Sequence, residues 1–480
     1  MSSTKKKPVE EIGKSRVKSK QKSKGWKMAV IASITVLALI VAGISYYQAT
    51  RFNSQVTINA IKVGGLTADQ TVKKLKTASL KNRVFVGEQQ ILDEEDTKLG
   101  FTEKDLPEVK KLLKNQWTFF PSFKKKDYQL IPDEAGQYRT QTMKKLVEEK
   151  LLSMNETLKA PVDAFVKLEQ GKISISKSMD GEQFDVASLL KDYDKQYYKS
   201  DIRIEPVYLQ PIREDSEIVK NEEKKLKELL GQSIEYKVQD QVHSLKASEL
   251  IKSATVSKDL QIAIDPSDIK SKITEINDTQ STLNKNFTFK THSGKVITVK
   301  GQGYGWALDV KKETAMVQKA FETGETSVSA ANIIGKGWKG EGYGYETTAN
   351  NGIGNTYAEV SIAEQRIWIY KDGKLAATTN VVTGKHSTGK DTSPGVWYVL
   401  YKRQQYTLTG DTAGTPYAIK VNYWVPFTNS GQGFHDASWR TNWASNAYLN
   451  AGSNGCVNVQ PNFMKAVYDN LSTYDPVIVY

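Results

Sequence analysis

The chain contains one cysteine, Cys456, and four histidines, of which His435 lies twenty-one residues before it. A thiol nucleophile and an imidazole base are the minimal set for acyl transfer through a thioester. A lone thiol cannot close an intramolecular disulfide, so Cys456 has either a packing role or a chemical one. A packing cysteine behaves as a small hydrophobe among apolar residues. Cys456 instead follows Gly452-Ser453-Asn454-Gly455, where glycines permit unusual backbone angles and the close approach of another group. His243 and His292 have no cysteine or clustered carboxylates at ligand spacing, so both read as structural, and neither a metal nor a cofactor is expected.

The elements that must hold this pair are β-rich. Tyr357–Ile362 and Arg366–Tyr370 alternate in polarity, and Asp372-Gly373 supplies a hairpin turn before Leu375–Val382. Further strands are expected at Gly395–Leu400, Tyr417–Val421, Tyr423–Phe427 and Pro476–Tyr480, with a helix near Asn462–Leu471. The expectation is a mostly-β, sandwich-like catalytic domain over residues 355–480, the thiol sitting just before the helix.

Upstream, a pattern recurs. A strand-turn-strand run at Val166–Ser176 precedes Phe184-Asp185-Val186 and a helical segment; Phe287–Val299 precedes Leu308-Asp309-Val310 and another, about 123 residues later. Two α+β copies follow, at 48–214 and 215–336. Thr67 is placed as the N-cap of a helix from Ala68, and helices are expected at Thr140–Leu152 and Glu217–Leu230. A glycine-rich stretch, 337–354, reads as a linker.

Residues Met28–Tyr47 are uncharged and mostly apolar, enough to cross a bilayer as a helix. Residues 1–27 carry ten bases and two acids, which places this tail in the cytoplasm and the rest of the chain outside, facing the cell wall. That tail supplies +8 of the net charge of +13. The exported part is nearly balanced, which argues against a nucleic-acid partner.

The ordered set Val382-Thr383-Gly384, Thr392-Ser393-Pro394-Gly395, Tyr423-Trp424-Val425-Pro426-Phe427, Gly433-Phe434-His435-Asp436 and Gly452 to Asn458 resembles the L,D-transpeptidase family over residues 355–480. The duplicated region resembles the peptidoglycan-binding domains that accompany membrane-anchored Gram-positive members, through Val63–Thr67 and Tyr304–Asp309. One position departs: the family commonly has His two residues before the nucleophile, where this chain has Asn454.

The resemblance implies a cysteine acyltransferase that forms 3→3 peptidoglycan cross-links. Its donor is a stem tetrapeptide that loses D-Ala, its acceptor an amine on a neighbouring stem, and carbapenems are expected covalent inhibitors. Cys456 is the expected nucleophile and His435 the acid/base, with Ser453 orienting the imidazole by side chain or backbone carbonyl. Backbone N–H groups of Gly455 and Cys456 are expected to hold the oxyanion. Tyr423, Trp424, Arg440, Asn454 and Asn458 are expected to contact substrate, and His386 is a weaker candidate. Two other readings are a sortase-like cysteine transpeptidase, disfavoured because no arginine follows Cys456, and a non-catalytic wall-binding surface protein.

Overall fold

The structure is a computed structural model that describes residues 24–116, 121–132, 136–412 and 414–480. Most of the expected basic tail, residues 1–23, lies outside the described residues. Lys24–Thr50 forms one 27-residue helix. Its Gly25–Thr50 segment is long and apolar enough to cross a membrane, about 39 Å at the helical rise of about 1.5 Å per residue.

The rest divides by contacts into two units. One comprises the chain to Val162 together with Met179–Pro211; the other comprises Asp163–Ser178 and Ile212–Tyr480. In the first, Thr67 caps helix Ala68–Thr77 in a capping box with Gln70, which satisfies two otherwise orphaned backbone donors. Strands Ser79–Val86 and Gln89–Lys98 pair as a hairpin, and Asp201–Ile204 joins Ser79–Val86 in parallel. The helix expected from Thr140 begins instead as a π-helical turn, Tyr138–Met143, and continues as α-helix to Asn155.

The second unit repeats this order. Ser216 caps helix Glu217–Leu230; strands Ser233–Val238 and Gln241–Lys246 form the hairpin; Ser327–Ser329 pairs in parallel with the first of them. The sequence echo is therefore structural. In both copies an aspartate, Asp185 or Asp309, caps the helix before the parallel strand by accepting from a backbone N–H in the first turn.

The echoed hairpins reach forward along the chain. Val166–Glu169 and Lys172–Ile175 pair with each other, and the former also pairs with Ala254–Val256 of the second unit. Asn286–Lys290 and Val296–Lys300 place Phe287, Phe289 and Val299 in a cluster with Tyr357, Val396, Tyr398 and Ile478 of the C-terminal domain. The glycine-rich stretch expected as a linker is packed in this unit. Tyr343 stacks on Tyr474 at 4.7 Å, Tyr345 meets Trp306 edge-on at 4.9 Å, and only Trp338, 94% exposed, stands clear.

The C-terminal domain is mostly β, built on one curled nine-stranded sheet. In chain order its strands are β1 (Tyr357–Ser361), β2 (Arg366–Lys371), β3 (Lys374–Val382), β4 (Gly395–Tyr398), β5 (Arg403–Thr412), β6 (Thr415–Pro426), β7 (Gly433–Asp436), β8 (Val457–Val459) and β9 (Pro476–Val479). They lie in the order β4-β9-β1-β2-β3-β8-β7-β6-β5. The Asp372-Gly373 turn has positive φ at both residues, the geometry of the tightest hairpins. Helix Pro461–Asn470 packs Met464 and Val467 into the apolar cluster of Val360, Ile369, Val381 and Phe434. Three strands escaped the sequence reading: β5, the short β7 that carries His435, and the short β8 that follows Cys456.

A fully buried carboxylate fastens the Asn286–Lys300 hairpin to this domain. Glu359 on β1 accepts from the backbone N–H of His292 with both oxygens at 3.0 Å, from His292 Nδ1 at 2.9 Å, and from the Tyr480 hydroxyl. The His292 ring stacks on Trp368 at 3.5 Å. Removing the acceptor leaves those donors buried and unpaired, so Glu359→Ala is expected to destabilise this unit by roughly 3–5 kcal/mol. Urea unfolding followed by tryptophan fluorescence measures it; a loss below about 1 kcal/mol would show that the cluster does not bind the hairpin.

Candidate active site

The site is built where β7 and β8 run parallel, with Phe434 opposite Val457 and His435 opposite Asn458. Cys456 is the last residue before β8, so this register brings thiol and imidazole to one end of the sheet. Both line a cleft of about 500 Å³, within the range of small-ligand sites.

The loop before Cys456 is held from below by buried polar groups. Thr392 donates its hydroxyl to the Gly455 carbonyl at 2.8 Å and accepts from Gly384 N–H at 3.1 Å. Gln365 accepts from Thr383 N–H at 2.8 Å, and Ser453 N–H donates to the Thr383 carbonyl at 3.0 Å. The Thr383-Gly384 and Thr392-Ser393 motifs therefore act as the seat of the nucleophile loop. Gly455 has φ +113°, and a Cβ there would meet the Gln432 amide at 2.8 Å, so a side chain at this position would strain the backbone and displace the end of Gln432.

Ser453 does not orient the imidazole. Its hydroxyl donates to the Cys456 carbonyl at 2.5 Å and accepts from Gly455 N–H at 3.0 Å, closing the turn on itself. That bond also engages the Gly455 N–H that the sequence reading offered to an oxyanion. The imidazole is oriented instead by the backbone carbonyl of Asp436, 3.0 Å from Nδ1. A carbonyl can only accept, so Nδ1 carries the hydrogen and Nε2 the lone pair.

Asn458, expected to touch substrate, lines the cleft but is 2% exposed and is engaged by its neighbours. In the amide orientation that pairs both its ends, it donates to His435 Nε2 at 3.1 Å and accepts from Arg440 Nε and Nη2, each at 3.0 Å. Arg440 also donates to the Ala451 carbonyl at 2.8 Å and lines the cleft. The Asp436 carboxylate accepts from the backbone of Asn422 and Tyr423 and from the Asn422 amide, fixing β6 against β7.

Trp424 and Tyr423 part company. Successive side chains of a strand point to opposite faces, and Trp424 faces the cleft, its ring 6.0 Å from that of His435, while Tyr423 packs 4.9 Å from Tyr468 of the C-terminal helix. Trp439 stacks on the other side of His435 at 5.7 Å. Asn454 lines the cleft. His386 lies outside it, exposed and 3.0 Å from Asp391. Sequence reasoning missed Lys385 and the aromatic wall of Tyr401, Tyr406 and Tyr417. The alternation of Tyr406 and Leu408 with polar neighbours was the available signal.

Electrostatically the resting pair is neutral. Burial pushes the Cys456 thiol up to about 11, opposed by the Gly433 N–H, and burial pulls the His435 imidazole down. Cys456 is half-buried, and its thiol donates to the Gly431 carbonyl at 3.6 Å. Among the described residues no hydrogen bond joins it to the imidazole. Such bonds often tighten only when substrate is bound.

The curled β domain places a thiol and an imidazole in one cleft, and it coincides with a known catalytic domain. Residues 355–479 match the L,D-transpeptidase catalytic domain, YkuD, and residues 219–329 match a peptidoglycan binding domain. The catalytic domain of Enterococcus faecium L,D-transpeptidase, solved by NMR, is 39% identical over 26% of this chain and 96% of its own, with TM-score 0.24. A longer crystal structure of a cysteine-to-serine mutant of the E. faecium enzyme is 28% identical over 54% of this chain and 98% of its own, TM-score 0.45. An avibactam carbamoyl enzyme, Ldtfm, is 29% identical over the same shares, TM-score 0.46. No curated protein sequence matches. The chain belongs to the L,D-transpeptidase family.

Two measurements test the resting state. Alkylation of Cys456 by iodoacetamide is expected to quicken about tenfold per pH unit from roughly pH 7 to 10, because only thiolate reacts; a rate flat across neutrality would reveal a standing thiolate–imidazolium pair. Asn458→Ala removes a donor to Nε2, so the imidazole should titrate higher and the acid limb of acylation should move up in pH. An unmoved acid limb would show that Asn458 does not touch the base in solution.

Proposed function

We propose that this protein forms 3→3 peptidoglycan cross-links through a Cys456 acyl-enzyme. The observation that carries the reading is the convergence of Cys456 and His435 in one cleft by the β7–β8 register. The match to a peptidoglycan binding domain at residues 219–329 supports a cell-wall substrate.

In the first half-reaction His435 takes the thiol proton as sulfur attacks the carbonyl of the third residue of a donor tetrapeptide. The tetrahedral intermediate collapses, the imidazolium gives its proton to the departing D-Ala amine, and a thioester remains. An acceptor amine on a second stem then attacks the thioester. The imidazole removes a proton from that amine and returns it to the leaving sulfur, which restores both groups. Because the resting pair is neutral, proton transfer and attack are coupled, and the acylation rate holds level from neutrality upward while falling below the imidazole's lowered titration.

The same reading places helix Gly25–Thr50 across the membrane with the catalytic domain on the wall side, Lys and Arg of residues 5–27 holding the amino terminus in the cytoplasm. Carbapenems are acylating inhibitors on this reading; an E. faecium relative has been solved acylated by ertapenem.

Cys456→Ala is expected to abolish both cross-link formation and the carbapenem adduct while leaving the fold intact, since the chain has no second thiol. Incubation with a disaccharide-tetrapeptide and mass analysis of products checks the first; intact-protein mass checks the second. His435→Ala should slow acylation by roughly 10² to 10⁴, the usual worth of a positioned acid/base. Dimer formation by Cys456→Ala at the parent rate would refute the assignment.

A further inference from the structure

Two cations line the cleft, Lys385 and Arg440, and there is no acid among its described lining residues. Arg440 is committed to the protein: in the amide orientation given above, its Nε and Nη2 each donate to Asn458 at 3.0 Å, and its Nη1 donates to the Ala451 carbonyl at 2.8 Å. Lys385 is bonded through its backbone. Its N–H donates to the Ser453 carbonyl at 2.8 Å, and its carbonyl accepts from Lys390 N–H at 3.0 Å and from the Thr388 hydroxyl at 3.4 Å. Among the described residues its ammonium has neither a hydrogen bond nor an ion pair. The acid of its own loop, Asp391, faces His386 instead, at 3.0 Å.

The root of this lysine is fixed to the nucleophile turn. A Cβ on Gly452 would meet Lys385 Cα at 2.4 Å, so a glycine is what lets the two segments touch, and Ser453, bonded to Lys385, lies three residues before the thiol. Lys385 is half-buried, and a cation partly removed from water gains most from an anion that comes to it. The donor of the reaction above carries such an anion. Its departing D-Ala ends the chain, so the carboxylate of that residue is free and lies three bonds from the carbonyl carbon that sulfur attacks. A donor posed for attack therefore brings its carboxylate into the cleft with the thiol.

We propose that Lys385 selects the donor by binding the terminal carboxylate of the leaving residue. The proposal rests on the cross-linking reading. As the sulfur–carbon bond forms and the carbon–nitrogen bond breaks, the carboxylate departs unchanged on D-Ala, whose amine takes the proton from His435. The lysine thus acts on the first half-reaction alone, and it favours a chain that ends at the leaving residue over one that continues past it.

The test uses the full chain in detergent micelles and two donors, a disaccharide-tetrapeptide and the same molecule with its terminal carboxylate converted to the amide. Both give the same thioester, and its formation is followed by intact-protein mass after rapid quenching. The parent is expected to acylate about ten- to a hundredfold faster with the acid than with the amide, the worth of a charge-assisted hydrogen bond. Lys385→Ala should bring the acid down to the amide's rate while leaving the amide's rate and the partition of the thioester between acceptor amine and water unmoved. Lys385→Arg should restore most of the preference. A parent with no preference, a preference that survives in Lys385→Ala, or an equal loss with both donors overturns the assignment of Lys385 alone. A parent that forms no thioester from either donor overturns the cross-linking reading, and this assignment with it.

Discussion

The parallel pairing of β7 with β8 is the constraint on which the site depends. Parallel neighbours cannot be joined by a tight turn, so the chain must leave His435, travel through residues 437–455, and return at Cys456. That excursion supplies Trp439 and Arg440 on one side of the cleft and the Gly452–Gly455 turn beneath the thiol. A slip of one residue would turn every β8 side chain to the opposite face. Asn458 would then leave Nε2, and the thiol would leave the cleft. The buried hydroxyl of Thr392, bonded at once to Gly384 and Gly455, makes such a slip expensive by leaving a carbonyl and an amide unpaired.

The same burial that fixes the register sets the chemistry. Two indoles flank the imidazole, and their apolar faces favour its neutral form. A neutral imidazole beside a protonated thiol is a poor nucleophile at rest and a competent base once a carbonyl presents itself. The resting site thereby avoids desolvating a thiolate and an imidazolium, which is costly unless the two are well paired. With Asn454 at the position two before Cys456, His435 is the one imidazole lining the cleft among the described residues, so in the proposed reaction proton traffic in both half-reactions falls to it.

Much of this was legible in the sequence, for physical reasons that differ by residue. Cys456 and His435 announce themselves by rarity and by the glycine turn. The hairpin at Asp372-Gly373 and the cap at Thr67 are local chemistry, readable in a few residues. What was not legible depends on tertiary contacts. Nothing local tells that Ser453 folds back on its own turn while the Asp436 carbonyl takes the imidazole. Tyr423 and Trp424 are adjacent, and only the facing of β6 decides which one lines the cleft, although the strand period already forbids both. The glycines of 337–354 signal turns, but whether those turns pack is decided by Tyr343 and Tyr345 finding partners far along the chain.

The duplicated region gains meaning from its forward-reaching hairpins. Val166–Ile175 adds strands beside Ala254–Val256, and Asn286–Lys300 carries His292 onto Glu359 of the catalytic sheet. In the second case a buried carboxylate finds most of its donors outside the catalytic sheet. Glu359 is an acid that the catalytic domain could not bury alone at low cost, because Tyr480 supplies only one hydroxyl and the hairpin supplies an amide and a ring nitrogen. The second copy and the catalytic domain are accordingly one compact unit, and the Asn286–Lys300 hairpin of that copy is part of what holds β1 in place in the sheet.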